Sequence, residues 1–320
     1  MKLTFVDLFA GVGMARMGME QAGFKCVYTC EFDKHKRKGY EIIHGNIPEG
    51  CDIRDVRAID IPRADVWFFG APCQDFSIAG LRKGLGGDRS SLISEVFRLI
   101  EEKGKDKPAW LVYENVKGML SSNGGRDFMS ILLRMEELGY DVEWQTLNTK
   151  HFGLPQNRER VYTIGHLRTS GSKQILPITK DSGQINKLEG KINSTTITAR
   201  YGNALSNGTY IVEGNERKQT SINQVAGLDL QPHVLVKSKD HSYNQDVHGV
   251  FIQNGKEYVI RKLTPKECMR LQGVPDEYTD KLIAAEISDS QIYKAAGDGL
   301  SVPIAKEIGE RIRKTYEENN

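Results

Sequence analysis

The chain has no run of about eighteen apolar residues, which would be needed to span a bilayer as a helix. Its first residues, Met1-Lys2-Leu3-Thr4-Phe5-Val6-Asp7-Leu8-Phe9, lack the long apolar core and cleavage site of a secretory signal, and read as a buried first strand. Cysteine is sparse and unpaired. Cys26, Cys30, Cys51, Cys73 and Cys268 include no C-x-x-C pair, and their odd number in a chain of 320 residues does not suit a disulfide framework. Cys26 and Cys30 are spaced like half a zinc site, but no second Cys/His cluster with ligand spacing accompanies them, so no metal is expected. Reduced thiols point to a cytoplasmic protein. Charge of one sign is also lacking: a net charge of +2 by itself neither implies nor excludes nucleic acid, because phosphate binding needs a local basic patch.

What the chain does have is alternation. Short β-rich runs are expected at Leu3–Phe9, Lys25–Glu31, Val66–Gly70, Trp110–Glu114, Val142–Leu147 and Arg160–Gly165. Between them Met14–Ala22, Leu92–Lys103 and Arg126–Leu138 repeat apolar residues every three or four positions, as on helices with one buried face. This is β-α-β organisation and predicts an α/β fold with a mostly parallel sheet flanked by helices. The helical period disappears from about residue 168 to 258. Gly, Asn, Ser and Thr punctuate short β-like pieces there, and Asn254-Gly255 between two apolar runs reads as a hairpin turn. Helical signals return at Thr264-Pro265, where Glu267 completes a capping box. The expected organisation is therefore a core in 1–167, a smaller strand-rich domain in 168–259, and a segment from 260 to 320 that completes the core.

Two sets of residues carry chemistry. Asp7-Leu8-Phe9-Ala10-Gly11-Val12-Gly13 puts a glycine-rich turn between the first strand and the first helix, where backbone can approach a nucleotide-like ligand. The third glycine of a dinucleotide fingerprint is replaced by Arg16, which argues against a nicotinamide dehydrogenase. Glu31, followed by Phe32, lies twenty residues beyond Gly11, where a carboxylate commonly accepts ribose hydroxyls. Asp52 is placed at the tip of a third strand, as an acceptor for an adenine amino group. Taken alone, Glu31 and Asp52 read more readily as loop acids capping helices.

The second set begins at Gly70-Ala71-Pro72-Cys73-Gln74, after what is counted here as the fourth strand. An isolated cysteine is usually an inert small hydrophobe; this one has company. Glu114-Asn115-Val116 ends the next strand, and Gln156-Asn157-Arg158-Glu159-Arg160 sets two arginines at i and i+2, expected to point the same way along a strand.

In order and content these segments resemble the C5-cytosine methyltransferase family. Arg261–Glu267 with Arg270-Leu271-Gln272-Gly273 resembles its ninth motif, and Gly297-Asp298 with Ser301-Val302-Pro303 its tenth. The chain departs from the family's usual residues at Ala71, at Gly13-Met14 and at Asp298, where an asparagine is usual. The resemblance implies an S-adenosylmethionine-dependent, Rossmann-like methyltransferase fold with a target-recognition domain. It implies transfer of a methyl group to carbon 5 of a flipped-out cytosine in duplex DNA, through a covalent adduct between Cys73 and ring carbon 6.

The catalytic set would be Cys73, Gln74, Glu114, Arg158 and Arg160. Asp7, Phe9, Ala10, Gly11, Gly13, Glu31, Phe32, Asp52, Pro72, Asp298 and Ser301 would bind S-adenosyl-L-methionine and its product S-adenosyl-L-homocysteine. Ser77, Arg82, Lys83 and Arg89, in a glycine-rich stretch after the cysteine, and Thr196, Arg200 and Tyr201, in the small domain, would contact double-stranded DNA. A monomer without membrane attachment is expected, serving restriction-modification or phage DNA protection, with any cognate restriction endonuclease a separate protein. A tRNA cytosine methyltransferase and a catalytically silent DNA-binding regulator of the same fold are the alternatives.

Overall fold

The computed structural model describes residues 2–71, 92–171, 173–179, 210–214, 220–221, 247–253 and 256–318; in the strands between 210 and 262 the backbone alone is described. Its centre is a six-stranded sheet in the order β2-β1-β3-β4-β6-β5. β1 (Thr4–Leu8), β2 (Lys25–Cys30), β3 (Val66–Phe69) and β4 (Trp110–Val116) run parallel, while β6 (Glu159–Leu167) inserts antiparallel between β4 and β5 (Tyr140–Asn148).

Strand alternation sorts the apolar residues onto two faces. Val6, Leu8, Trp67, Phe69, Leu111 and Tyr113 pack on α3 (Leu92–Glu102) and α4 (Arg126–Glu137) through Val96, Phe97, Ile100, Ile131 and Met135. Phe5, Val66, Phe68, Trp110, Val112 and Tyr162 pack on α1 (Met14–Gln21) and α8 (Val302–Glu317) through Met19, Ile304, Ile308 and Ile312. α1 and α8 approach closely because glycines meet alanines. A Cβ on Gly18 would lie 2.6 Å from the Ala305 Cβ, and one on Gly309 would lie 2.7 Å from the Ala22 Cβ. The segment after residue 260 thus supplies the helix covering one face of the sheet. Before α8 come α5 (Pro265–Arg270), α6 (Asp276–Ala284) and α7 (Asp289–Asp298). The capping box at α5 forms as its sequence predicts, with Thr264 and Glu267 reciprocally bonded.

The second sheet has the order β8-β7-β10-β9, from β7 (Tyr210–Gly214), β8 (Thr220–Ser221), β9 (Val247–Gln253) and β10 (Lys256–Lys262). β9 and β10 pair antiparallel from Gln253–Lys256 outward, the hairpin expected around Asn254-Gly255. Two features differ from expectation. α2 (Lys34–His44) has no counterpart among the predicted helices, because Lys34, His35, Lys36, Arg37 and Lys38 hide an apolar face limited to Gly39, Tyr40 and Ile43. The strand expected before Asp52 is absent: a single bridge joins Cys30 and Gly50, and the strands counted fourth and fifth above are β3 and β4. Cys51-Asp52-Ile53 is too short and polar to extend that bridge into a ladder.

Candidate active site

The reversed direction of β6 decides what meets at the carboxyl edge of the sheet. β3 and β4 end there, whereas β6 begins there, so Gly70 and Ala71, Glu114, and Arg158 and Arg160 come together from three distant stretches of chain. Alternation then selects one face. Gly70 follows Phe68 in phase, Glu114 follows Val112, and Arg160 precedes Tyr162, all on the face covered by α1 and α8. Glu114 lies opposite Tyr162 in the register, two residues in from the Val116–Arg160 pair. The Arg160 Nε sits 3.2 Å from a Glu114 carboxylate oxygen. A Cβ on Gly70 would lie only 3.5 Å from the other oxygen, so the backbone leading to Cys73 runs past this carboxyl group.

Burial pushes the Glu114 carboxyl above its ordinary range, and outweighs the opposing pull of the Arg160 and Arg158 guanidinium groups. The result is an acid poised to hold or share a proton beside the chain that carries the cysteine. The Tyr162 phenol is buried next to it, and its hydroxyl has no partner among the described residues.

The two arginines do not act on one group, as their i, i+2 spacing predicts. Arg158 precedes β6, is only 2% exposed, and donates to the main-chain carbonyls of Gly297 at 3.1 Å and Gly299 at 2.6 Å. It therefore ties the turn between α7 and α8 to the catalytic edge, while Arg160 takes the carboxylate. Burial, and then Arg160, lower the Arg158 pKa to about 10, which leaves it charged at neutral pH.

Asn115, unremarked in the sequence beyond its place after Glu114, is buried and points to the opposite face. Its amide nitrogen donates to the Ala71 carbonyl at 3.2 Å and to the Tyr113 hydroxyl, fixing the chain two residues before Cys73. Gln156 is likewise buried and donates to the Leu271 carbonyl at 2.6 Å, and Gln272 to that of Ala296 at 2.6 Å. Local pattern gives no signal for such contacts, since each joins segments far apart in the chain.

A second group of residues gathers one strand away. After β1 the chain reverses through left-handed backbone at Phe9 (φ +61°), Gly11 (φ +60°) and Gly13 (φ +85°). The first is uncommon for a non-glycine residue and costs about 1 kcal/mol or more. Gly13 is required twice over, because a Cβ there would also fall 2.1 Å from the His44 ring. His44 is held neutral by burial, its pKa lowered to about 3, so its Nε2 carries the proton that it donates to the Val12 carbonyl at 3.2 Å. Glu31 accepts from the backbone N–H of Gly11 at 2.7 Å and of Asp33 at 2.7 Å, one on each oxygen. The N-cap of α2 is Asp33, not Glu31. Phe32 projects beside it, 67% exposed. Asp7 lies beneath the loop, 2% exposed, with one carboxyl oxygen lacking a partner among the described residues.

Asp52 stands outside any strand, its carboxylate held by the Arg54 backbone N–H at 3.0 Å and gripped by the Arg54 guanidinium. On the far side, Gly299 approaches the start of α1 so closely that a Cβ would lie 2.2 Å from the Met14 sulfur. Ser301, two residues on, is buried with its hydroxyl unpartnered among the described residues. Asp298 is paired with Lys36 at 2.8 Å.

These residues fit a nucleoside ligand carrying an amino-acid tail. Glu31 has lone pairs left for a ribose diol, Phe32 offers an apolar ring for a base, and Gly11 leaves open space where a side chain would stand. Pro72, Cys73, Gln74, Ser77, Arg82, Lys83, Arg89, Thr196, Arg200 and Tyr201 lie outside the described residues. Among the described residues no group of three or more His, Cys, Asp or Glu is arranged to hold a metal ion, and no helix is long and apolar enough to cross a membrane.

The chain is similar to known proteins over nearly its whole length. The chain is 33% identical over 326 residues to the Type II methyltransferase M1.ScrFI of Lactococcus lactis subsp. cremoris, covering 99% of this chain and 80% of that protein. It is 33% identical over 337 residues to the Type II methyltransferase M.Bsp6I of Bacillus sp. (strain RFL6), covering 98% and 99%. Among solved structures the fold is similar to the Entamoeba histolytica methyltransferase EhMeth, with a TM-score of 0.68 at 16% identity over 99% of both chains. It is also similar to the S. pombe Dnmt2 methyltransferase, with a TM-score of 0.67 at 17% identity, again over 99% of both. The model of the family described as C-5 cytosine-specific DNA methylase matches residues 3–314, and the chain belongs to that family as a DNA cytosine-5-methyltransferase.

Proposed function

We propose that the chain is a Type II modification enzyme that methylates carbon 5 of a cytosine flipped out of a specific duplex DNA sequence, with Cys73 as nucleophile. Its Type II relatives support the restriction-modification role. The observation that carries the chemistry is the Glu114 carboxyl, pushed up by burial, paired with Arg160 and lying against Gly70, three residues before Cys73.

Carbon 5 of cytosine is a poor nucleophile until ring conjugation is broken. The Cys73 thiolate adds at carbon 6, forming a carbon–sulfur bond and moving an electron pair through the ring towards nitrogen 3. Glu114 hydrogen-bonds or protonates that nitrogen as density arrives. Arg160 holds the carboxyl in place and supplies positive charge beside it, which also favours the thiolate. Carbon 5 then takes a methyl group, loses its proton to base or water, and the thiolate leaves with its electron pair, so the ring is restored. Glu31, Phe32, Asp52, Ser301 and the Phe9–Gly13 loop would hold S-adenosylmethionine, which would supply that methyl group as an electrophile on a sulfonium. A stacked base is out of reach of this edge, so the target is extruded at a cost of a few kcal/mol. Residues 168–259 form the target-recognition domain, and the stretch after Cys73 supplies Arg82, Lys83 and Arg89 to phosphates.

Bisulfite sequencing of DNA from cells expressing the protein should show methylcytosine at one position of one short sequence, and C73S should nearly abolish it. DNA containing 5-fluorocytosine should trap a denaturation-resistant complex, because proton loss from carbon 5 is blocked. Methylation of tRNA with duplex DNA untouched would overturn the substrate; lack of the trapped complex would remove Cys73 from the mechanism.

A further inference from the structure

Two ion pairs cross between the first turn of α2 and the last turns of α7. Asp33 and Lys36 on α2 face Lys294 and Asp298 on α7, at 2.7 Å for Lys294–Asp33 and 2.8 Å for Lys36–Asp298. Lys36 and Asp298 both stand where a helix least favours them. A cation in the first turn opposes the helix dipole, and so does an anion at the last residue. Neither charge is favoured by its own helix dipole, and the direct ion pair each makes runs across the gap, with Lys294 and Arg158 also attracting Asp298.

The gap is bordered by the cofactor residues. Glu31 and Phe32 immediately precede Asp33, and Gly299 to Ser301 immediately follow Asp298. α2 touches the glycine loop through Gly39, where a Cβ would lie 3.0 Å from Val12, and the α7–α8 turn touches it at Met14. Two of the three walls are thus joined to each other by the crossed pairs. The same α7–α8 turn is held from the catalytic side by Arg158, so Lys36 and Arg158 grip it from opposite sides. The family's usual asparagine could not make this ion pair; the aspartate can.

We propose that Lys36 and Asp298 form a clasp that sets the spacing of the α2 and α7 corners for S-adenosylmethionine, which makes Lys36 a positioning residue for cofactor binding. The inference rests on the cofactor reading above. An ion pair of this partial exposure should change affinity about 3- to 5-fold, and the change should fade as salt screens it.

The test is calorimetric titration of S-adenosylhomocysteine into the full-length protein and its K36M, D298N and K36M/D298N variants, with thermal unfolding of each without ligand. K36M should weaken binding about 3- to 5-fold at low salt, because it removes the ion pair that joins α2 to the end of α7 and leaves Asp298 opposed to its helix dipole. On the D298N background K36M should cost little further affinity, and wild type and K36M should converge at about 0.5 M salt. Additive losses in the double variant, or an unchanged dissociation constant in K36M, would overturn the clasp while leaving the cofactor site standing. A lowered unfolding midpoint with unchanged affinity would reduce the pairs to helix packing and overturn it too. Lack of S-adenosylhomocysteine binding by the wild type would instead remove the cofactor reading on which the clasp rests.

Discussion

Asp7 offers the sharpest quantitative test of how the glycine loop is built. Its carboxyl lies on the α1/α8 face of β1, beneath the loop, and burial raises its pKa from 3.8 to about 8, with Arg16 opposing and Glu31 adding to the rise. The unfolded chain ionises this group near its ordinary value, whereas the folded protein keeps it neutral until about pH 8. Between these limits the unfolded state binds fewer protons, so stability from this group is full below about pH 4 and is lost as pH rises towards 8. The slope is about 1.4 kcal/mol per pH unit, hence about 3 kcal/mol between pH 5 and 7.5. Asp7→Asn removes the titration but keeps the shape. Urea unfolding of both proteins across this range should show the stability advantage of wild type over D7N shrinking by about 3 kcal/mol as pH rises, other groups cancelling in the comparison. Parallel curves for the two proteins would refute a neutral Asp7, and with it the view that this acid supports the loop from below as an uncharged group.

The same reasoning gives three further expectations. E114Q should lower kcat about 100-fold or more and remove the fall in rate that wild type shows as pH rises through the raised Glu114 pKa, the form lost there being the protonated acid; stopped-flow or single-turnover profiles would show it. Asn115→Ala should free the Ala71 carbonyl, cost about 1–3 kcal/mol of stability, and slow adduct formation with 5-fluorocytosine DNA while leaving S-adenosylhomocysteine affinity unchanged by calorimetry. Gly11→Ala should fold at a cost of about 1–2 kcal/mol for its left-handed backbone yet weaken S-adenosylhomocysteine binding, whereas Gly13→Ala should lower the unfolding midpoint severely by driving a methyl group into His44.

Most of the fold was legible where burial leaves a period. Val66–Phe69 and Trp110–Tyr113 are continuous apolar runs because the parallel centre of the sheet is covered on both faces. α3 shows its buried stripe at Ile93, Val96, Phe97 and Ile100. α2 escaped because its helix is stabilised from outside, by the Asp33 cap and by ion pairs with α7, and not by an apolar stripe of its own. The strand before Asp52 was over-read for the converse reason: Ile53 is buried, but by packing in a turn rather than in a ladder. In the candidate active site the residue types were legible and their partners were not. Arg158 and Arg160 have the same spacing in any strand; only the position of Gly297 and Gly299 shows that one of them is spent on carbonyls.

That division of labour follows from the placement of β6. Were β6 a further parallel strand, its first residues would lie at the amino edge, and no arginine from it would reach Glu114. Inserted antiparallel beside β4, it delivers Arg160 within 3.2 Å of the acid at the edge where β3 ends. A buried carboxyl with one guanidinium partner and a second close by would be expected to ionise fully if the pairs dominated. Burial outweighs both guanidinium groups and raises its pKa, although Arg158, which also donates to the Gly297 and Gly299 carbonyls, pulls it down. The arginine that supports the turn before α8 thus also pulls the Glu114 pKa down against the burial that raises it. Holding the α7–α8 turn and opposing the rise of the Glu114 pKa both fall to one side chain, so R158M should both loosen the turn and push the Glu114 pKa further up.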